Sequence, residues 1–182
     1  ENEAVFNKVL DTVNRQNNRL QDIIDQVLSN SLGFEKIDLQ KEKLKAATLL
    51  QTIIADFHLA FPEVQIHNNI QHSDTILHLD KFHLTTAINN VLENAVKYGC
   101  QNITLVTTEE NGMFHISIQD DGIGIAKTKQ SLLFEKFYRV EQGNLHNTKG
   151  LGLGLYYVDQ IIKAHQGSVK VVSDLGKGAA FT

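Results

Sequence analysis

Three glycines at alternate positions near the end of the chain could bind a phosphate group. They lie in the run Lys149-Gly150-Leu151-Gly152-Leu153-Gly154-Leu155, with leucines between them. Backbone N–H groups that have no side chain beside them can point at an oxyanion, and a helix that begins there adds its positive end. Loops of this kind also occur as plain structural turns. The run therefore predicts an anion site if its neighbours in the fold suit one.

A second candidate for chemistry is the acidic turn Asp120-Asp121-Gly122-Ile123-Gly124. It follows the alternating segment from Met113 to Gln119, which predicts a strand, so the Asp120 carboxylate stands where a strand ends and the chain turns. That carboxylate could accept a hydrogen bond from a ligand amine, or it could only cap the turn. Gly122 and Gly124 would let the backbone approach a ligand. Asp121 is expected to face solvent and to have no functional role.

A pair of asparagines marks the helical segment that precedes this turn. Asn90 and Asn94 are four residues apart, which places both carboxamides on one helix face. Their neutral oxygens suit Mg²⁺ when the ion arrives with triphosphate oxygens already bound to it. Lys97 lies on nearly the same face and could neutralise phosphate charge. The alternative is an ordinary polar helix face.

Between the acidic turn and the glycine run stands Leu133-Phe134-Glu135-Lys136-Phe137-Tyr138-Arg139. In their order along the chain, the four segments closely resemble the N, G1, F and G2 boxes of the sensor histidine kinase catalytic domain, a member of the GHKL ATPase superfamily. The resemblance extends from about residue 37 to residue 182. The Phe-x-x-Phe-Tyr-Arg signature separates this family from the DNA gyrase-type ATPases, the mismatch-repair ATPases, the heat-shock chaperones and the anti-sigma kinases.

The resemblance implies that the chain binds ATP and Mg²⁺. It assigns Asp120 to the exocyclic amine of adenine, Asn94 and secondarily Asn90 to the metal, and Tyr98 to the base or ribose. It also implies a mobile lid from about residue 126 to residue 149. Within the lid, Phe134, Phe137 and Tyr138 would form an apolar contact, and Arg139 would contact phosphate or another domain. The other implied nucleotide-binding residues are Lys97, Gly122, Gly124, Phe134, Phe137, Arg139, Gly150, Leu151, Gly152, Leu153 and Gly154.

Composition excludes several other classes of function. The chain has 182 residues, is 42% hydrophobic and carries a net charge of −4, so it can bury a core but offers no basic face for nucleic acid. No apolar run approaches the roughly 20 residues of a membrane span. The single cysteine, Cys100, suits a reducing compartment. We interpret the chain as a cytoplasmic fragment whose parent is membrane-anchored, as is usual in this family, through segments absent here.

Residues 1–33 are expected to form a long helix that ends at Gly33. Apolar residues recur with alternating spacings of four and three from Phe6 to Val27, interrupted only at Asn17. This pattern predicts a stripe that pairs with a helix from a second copy of the chain. The resemblance makes it the second helix of the dimerisation and phosphotransfer hairpin, and a coiled-coil linker is the alternative. Residues 34–182 would then be the catalytic ATP-binding domain.

Helices and strands alternate in the predicted catalytic domain, which is therefore expected to be an α/β two-layer sandwich with helices on one face of a mixed sheet, the Bergerat fold of this superfamily. The pattern predicts Asp80 as a helix N-cap and Asn111-Gly112 as a hairpin turn. Helices are expected over residues 41–61 and 153–165, and strands over 36–39, 64–66, 75–79, 103–107, 114–119, 168–173 and 179–182. A further helix is expected after its cap at Asp80, with a buried face formed by Phe82, Leu84, Ile88, Val91, Leu92 and Ala95.

The chain lacks the acceptor motif of this family, a histidine followed by an acidic residue. None of its eight histidines has an acidic neighbour on that side. The leading hypothesis is therefore the catalytic region of a protein-histidine kinase, which transfers the γ-phosphate of ATP to a histidine on an absent segment and from there to an aspartate of a response regulator. The alternative is a nucleotide-binding module that does not transfer phosphate. An anti-sigma serine kinase is a third possibility that the F box disfavours.

Overall fold

Seven strands and four helices lie within residues 37–71, 74–140 and 151–182, the part of the chain that this computed structural model describes. The predicted N-terminal helix, and the domain boundary near Gly33, lie outside the described residues. The elements are β1 (Glu42–Lys45), α1 (Ala46–Ala60), β2 (Gln65–Ile70), β3 (Ile76–Leu79), α2 (Lys81–Lys97), β4 (Asn102–Glu110), β5 (Met113–Asp120), α3 (Lys127–Gln130), α4 (Gly154–Ala164), β6 (Val171–Ser173) and β7 (Ala179–Phe181).

The main sheet has five strands in the order β2-β4-β5-β7-β6. The strands β2 and β4 are parallel, and all other neighbours are antiparallel. In the register between β4 and β5, Ile103 faces Asp120, so Asp120 is paired as the last residue of its strand. A separate antiparallel pair consists of β1 and β3. The sheet is therefore mixed, as the sequence predicts.

Helices cover one face of this sheet. On β4, Ile103, Leu105 and Thr107 are completely buried, whereas Asn102 before them and Thr104 among them are exposed. This alternation indicates one covered face and one open face. Burial of each large side chain contributes about 1.5–3 kcal/mol, so the covered face anchors the domain. The predicted two-layer α/β sandwich is confirmed.

The start of α2 follows from its capping residue. The Asp80 carboxylate accepts a hydrogen bond from the His83 backbone N–H at 2.9 Å, as the predicted N-cap requires. Its second oxygen accepts one from the Gln40 N–H at 2.7 Å. We expected Phe82 on the buried face, but this was wrong, because its side chain is 72% exposed. The buried residues of α2 are Leu84, Ala87, Ile88, Val91, Leu92 and Ala95, a face from which position 82 is turned away.

The predicted strand at residues 36–39 and the predicted helix start at Lys41 were wrong. The strand is Glu42–Lys45, and the helix begins at Ala46. The strand pairs with β3 from Glu42 opposite Leu79 to Lys45 opposite Ile76. Backbone pairing with a segment more than thirty residues away overrides the helical pattern of this stretch, because tertiary contacts outweigh local propensity.

The tight turn between β4 and β5 is confirmed at Asn111-Gly112. Both residues have positive φ angles, 53° and 74°, which the mirror-image hairpin turn requires. Helix α1 ends at Ala60, two residues before Pro62, also as predicted. None of the helices in the described residues has the length and apolar character that crossing a membrane requires.

Candidate functional site

The Asp120 carboxylate is held at the end of β5 with 9% of the residue exposed. Its Oδ1 accepts hydrogen bonds from the Gly122 N–H at 2.9 Å and from the Ala179 N–H at 3.3 Å. Burial raises the pKa of this carboxyl, the two backbone hydrogen bonds lower it, and the nearby charge of Asp121 raises it, with a net increase. Because both hydrogen bonds in the described part of the chain use Oδ1, Oδ2 can accept one from a ligand.

Close backbone contacts fix the position of this residue. Gly178 has a φ of 74°, and an added Cβ there would overlap the Asp120 carbonyl oxygen. Gly124 has a φ of 70°, and a Cβ there would overlap the carbonyl oxygen of Asp174. The turn between β6 and β7 therefore packs directly on the loop that follows Asp120. Only glycine permits both approaches.

The end of α2 contacts the same loop. The Ile123 N–H donates to the Tyr98 carbonyl at 3.3 Å. A Cβ added at Gly122 would lie 2.9 Å from that carbonyl oxygen and 2.9 Å from Asp120 Oδ1. Gly122 therefore leaves room for the carboxylate. The structure thus brings together four predicted site residues, Asp120, Gly122, Gly124 and Tyr98.

Asn90 and Asn94 of α2 are half-buried, and Asn90 lies against the start of α4. Its Nδ2 donates to the Thr86 carbonyl at 3.1 Å, and its Oδ1 lies 2.8 Å from the place of an added Cβ at Gly154. Gly154 is the first residue of α4, and Leu153 occupies the N-cap position. Gly154 of the glycine run therefore lies against the asparagine face of α2. Gly150 lies outside the described residues, and Leu151 is 42% exposed.

The positive charge of Lys97, the last residue of α2, interacts with that of Arg139. Partial burial lowers the pKa of Lys97, and the positive charge of Arg139 lowers it further. The ammonium group of Lys97 also lies 5.6 Å from the centroid of the Tyr98 ring. An anion bound beside both cations would relieve their mutual repulsion.

The described part of the lid, residues 126–140, packs on Gly152 of the glycine run. A Cβ added at Gly152, whose φ is 75°, would lie 2.8 Å from the Tyr138 carbonyl oxygen and 3.1 Å from Arg139 Cγ. Phe134 and Tyr138 are half-buried. Phe137 is 56% exposed and has a positive φ of 64°, which is uncommon for a residue other than glycine.

Asp121 has a structural role that the sequence did not indicate. It is exposed, as expected, but its Oδ1 accepts hydrogen bonds from the backbone N–H groups of Gln101 and Asn102, at 2.8 and 3.0 Å. Its Oδ2 accepts one from Asn102 Nδ2 at 2.7 Å. These bonds, the side-chain bond from Asn102 first, lower the pKa of Asp121. The residue ties the start of β4 to the turn after β5.

Two further residues at the site were not predicted. The Ser173 hydroxyl and the Gln130 amide hydrogen-bond the loop that follows Asp120. Serine and glutamine are common surface residues, and nothing in their local sequence distinguishes them. The only available signal was the position of Ser173 beside the Leu175-Gly176-Lys177-Gly178 turn.

Residues 79–182 match the protein family described as histidine kinase-, DNA gyrase B-, and HSP90-like ATPase. This range contains every site residue discussed above. The sensor protein RprX of Bacteroides fragilis is 37% identical over 184 residues, which cover 97% of this chain and 36% of that protein. The sensor histidine kinase RppB of Synechocystis is 34% identical over 187 residues, with coverages of 97% and 40%. The chain thus spans well under half the length of these relatives.

Solved structures share the fold. The full-length ShkA structure in complex with AMPPNP has a TM-score of 0.77 and 25% identity, and the match covers 90% of this chain and 35% of that chain. The mycobacterial sensor histidine kinase MprB has a TM-score of 0.67 and 22% identity, with coverages of 78% and 93%.

Proposed function

Because this chain belongs to the histidine kinase-, DNA gyrase B- and HSP90-like ATPase family, we propose that it is the ATP-binding catalytic region of a two-component sensor histidine kinase. It transfers the γ-phosphate of ATP to a histidine on a segment outside the chain, from which an aspartate of a response regulator receives it. Relatives described as a sensor protein and a sensor histidine kinase, each matching 97% of the chain, support this choice within the family.

The environment of Asp120 is the observation that carries the proposal. Its Oδ1 is held by two backbone N–H groups, which leaves Oδ2 to accept a hydrogen bond from the exocyclic amine of adenine. Guanine has a carbonyl oxygen at the corresponding position, and a carboxylate would repel it. The site should therefore prefer ATP to GTP. Gly122 and Tyr98 form the wall beside this carboxylate.

The phosphate side of the site is formed by α2, the lid and the start of α4. Lys97 and Arg139 bring two positive charges together, and the N-terminus of α4 adds backbone N–H groups. We assign the triphosphate to this region. Gly152 keeps the lid backbone close to the glycine run, so lid and run would contact the same ligand.

Asn94 and Asn90 are the proposed Mg²⁺ ligands, and their chemistry fits this ion. A carboxamide oxygen is a hard, neutral ligand, suited to a cation that keeps water and phosphate oxygens in its shell. Asn90 is already fixed by its bond to Thr86 and by its contact with Gly154, so Asn94 is the primary candidate. Bound Mg²⁺ would neutralise charge on the phosphate oxygens.

The chain supplies positioning and electrostatics for phosphoryl transfer, and the attacking imidazole comes from outside it. None of the eight histidines is followed by an acidic residue, so none carries the acceptor motif. We propose that residues 1–33 pair with the same segment of a second copy, which makes a homodimer. Cytoplasmic location, with membrane attachment through other parts of the parent, belongs to the same proposal.

The proposal is tested by transfer of labelled phosphate. The chain is incubated with γ-phosphate-labelled ATP and a purified segment of the parent that contains the family's acceptor histidine. The control segment has that histidine replaced by glutamine. We expect acid-labile label on the first segment only.

Titration of the chain with Mg-ATP by calorimetry accompanies this assay and separates its outcomes. Binding of Mg-ATP without any transfer to a folded acceptor would favour the module that does not transfer phosphate. Absence of binding would refute the assignment of the site itself. Preference for GTP would refute the role of Asp120.

A further inference from the structure

The loop after Asp120 is fastened to strand β6 by one buried hydroxyl group. Ser173 is 6% exposed, and its Oγ accepts a hydrogen bond from the Ile125 N–H at 2.8 Å. The same hydroxyl donates to the Gly178 carbonyl at 2.5 Å. A single side chain therefore joins the loop to the turn that packs on Asp120.

The first turn of the lid is fastened at the same place. Gln130 is the last residue of α3, and its Nε2 donates to the Ile125 carbonyl at 2.9 Å and to the Ser173 carbonyl at 2.7 Å. Two carbonyl partners require two N–H donors, so the amide group of Gln130 faces them with its nitrogen. The side chain connects the lid to both the loop and β6.

This network extends to the nucleotide site through Gly178. The backbone of Gly178 packs on the Asp120 carbonyl, and the next residue, Ala179, donates its N–H to Asp120 Oδ1. A shift of the Ser173 hydroxyl would therefore move the segment that holds the carboxylate. The first turn of the lid, residues 126–130 (the lid root), and the proposed adenine contact are therefore connected by one set of hydrogen bonds.

We propose that Gln130 and Ser173 are positioning residues for the nucleotide site, an inference that rests on the proposed function. They hold residues 126–130 against β6 and keep the Asp120 carboxylate in its binding position. Residues 126–130 then stay fixed to the adenine side of the site. Neither residue need touch the nucleotide.

An exposed ion pair between the same two elements provides a control. Lys127 Nζ lies 3.5 Å from Asp174 Oδ1, but the two side chains are 80% and 55% exposed. Such pairs contribute little, because solvent screens them. Asp174→Asn removes the attraction between lid and turn and leaves the buried hydrogen bonds in place.

The decisive variant is Gln130→Glu, which keeps the shape of the side chain but replaces the donor Nε2 by a carboxylate oxygen. This oxygen cannot donate to the carbonyl oxygens of Ile125 and Ser173 and is repelled by them. We expect its affinity for ADP, measured by calorimetry, to fall about tenfold, since each lost or repulsive polar contact costs several-fold in binding. The preference for ADP over GDP should fall as well, because the position of Asp120 sets it. Ser173→Ala should act in the same direction, Ser173→Thr should restore binding, and Asp174→Asn should bind like wild type.

Limited digestion by trypsin measures how often the lid root opens, and it requires no nucleotide. Lys127 and Lys129 lie within the turn that Gln130 holds against β6, and local opening exposes such sites to protease. We expect cleavage there to be several-fold faster in Gln130→Glu and Ser173→Ala than in wild type or Asp174→Asn. Melting curves identify any variant that does not fold, and the conclusion then rests on the other one.

Unchanged ADP affinity and unchanged cleavage in folded Gln130→Glu and Ser173→Ala would overturn the inference. Weaker ADP binding with an unaltered preference over GDP, and no rescue by Ser173→Thr, would also overturn it, because the residues would then be merely structural. If wild-type chain binds no ADP, the proposed function fails instead, and the cleavage rates alone decide whether these residues fix the lid root.

Discussion

Replacement of Asp120 by asparagine removes one charge from the site with little change in shape. The asparagine Oδ1 can still accept the hydrogen bonds that Gly122 and Ala179 donate to the wild-type Oδ1. What changes is the second atom, which becomes an N–H donor in place of the acceptor that we assign to the adenine amine. The substitution therefore tests the base contact separately from the packing around it.

The size of the effect follows from the burial of the carboxylate. A hydrogen bond to a charged group is worth about 1.5–3 kcal/mol, and the low exposure of Asp120 prevents water from replacing it. We therefore expect Asp120→Asn to bind ATP about 10- to 150-fold more weakly. Because the new amide can donate to the guanine carbonyl, the affinity for GTP should fall less or rise. The ratio of the two affinities should approach one.

Calorimetric titration of the chain with Mg-ATP and Mg-GTP measures both affinities. Asp121→Asn is the matched control, since it removes the same charge one residue along, from an exposed side chain. It should keep the preference for ATP. The reasoning is refuted if Asp120→Asn retains both its affinity and its preference, or if Asp121→Asn loses them equally.

The same variant should be more stable than wild type in the absence of nucleotide. Burial, the largest influence, raises the pKa of Asp120, so the folded protein holds this proton more tightly than the unfolded chain. Stability is then lost as the pH rises through the raised pKa, and asparagine avoids that loss. Melting temperatures of the two proteins should differ at pH 7 and converge as the pH approaches about 4. A lower melting temperature for Asp120→Asn at pH 7 would contradict this.

Three further predictions concern the surrounding structure. Asp80→Ala should lower the free energy of unfolding by about 0.5–2 kcal/mol at pH 7, because it removes an N-cap. Burial raises the pKa of the Asp80 carboxyl, but backbone hydrogen bonds and nearby histidines outweigh burial, so the net pKa is lowered. The denaturant curves of wild type and Asp80→Ala should therefore converge as the pH falls through that pKa. Gly152→Ala should weaken ATP binding and lower the free energy of unfolding, since its Cβ would lie 2.8 Å from the Tyr138 carbonyl oxygen. Gly176 has the same φ of 75° but open space around it, so Gly176→Ala should lower the free energy of unfolding by only about 1–2 kcal/mol and leave ATP binding intact. Asn94→Ala should weaken binding of Mg-ATP more than that of metal-free ATP, and equal losses in the two titrations would argue against metal ligation.

Local patterns predicted those parts of the fold that depend on nearby residues. The cap at Asp80 and the hairpin at Asn111-Gly112 are correct because hydrogen bonds and φ angles within a few residues determine them. The strand Glu42–Lys45 was missed because its partner, β3, lies more than thirty residues away. Pairing of this kind has no local signature.

The same distinction applies to the candidate site. Asp120 and the glycines stand out in the sequence because a carboxylate at a strand end and side-chain-free backbone are unusual. Ser173 and Gln130 are ordinary residue types, and the Gln130 amide meets its β6 partner across 43 residues of sequence. Only the folded arrangement places them beside the site.

Burial of the Asp120 carboxylate on the adenine side of the site lowers the stability of the fold, and packing alone does not explain why a charge is present there. A carboxylate whose pKa is raised by burial is an unfavourable choice for a purely structural turn. Neutral asparagine at position 120 would satisfy the same two backbone donors without the burial of a charge. A negative charge at this position is therefore better explained by a ligand that donates a hydrogen bond to it. The predicted rise in stability of Asp120→Asn, combined with its loss of ATP preference, would show that the charge serves binding at the expense of folding.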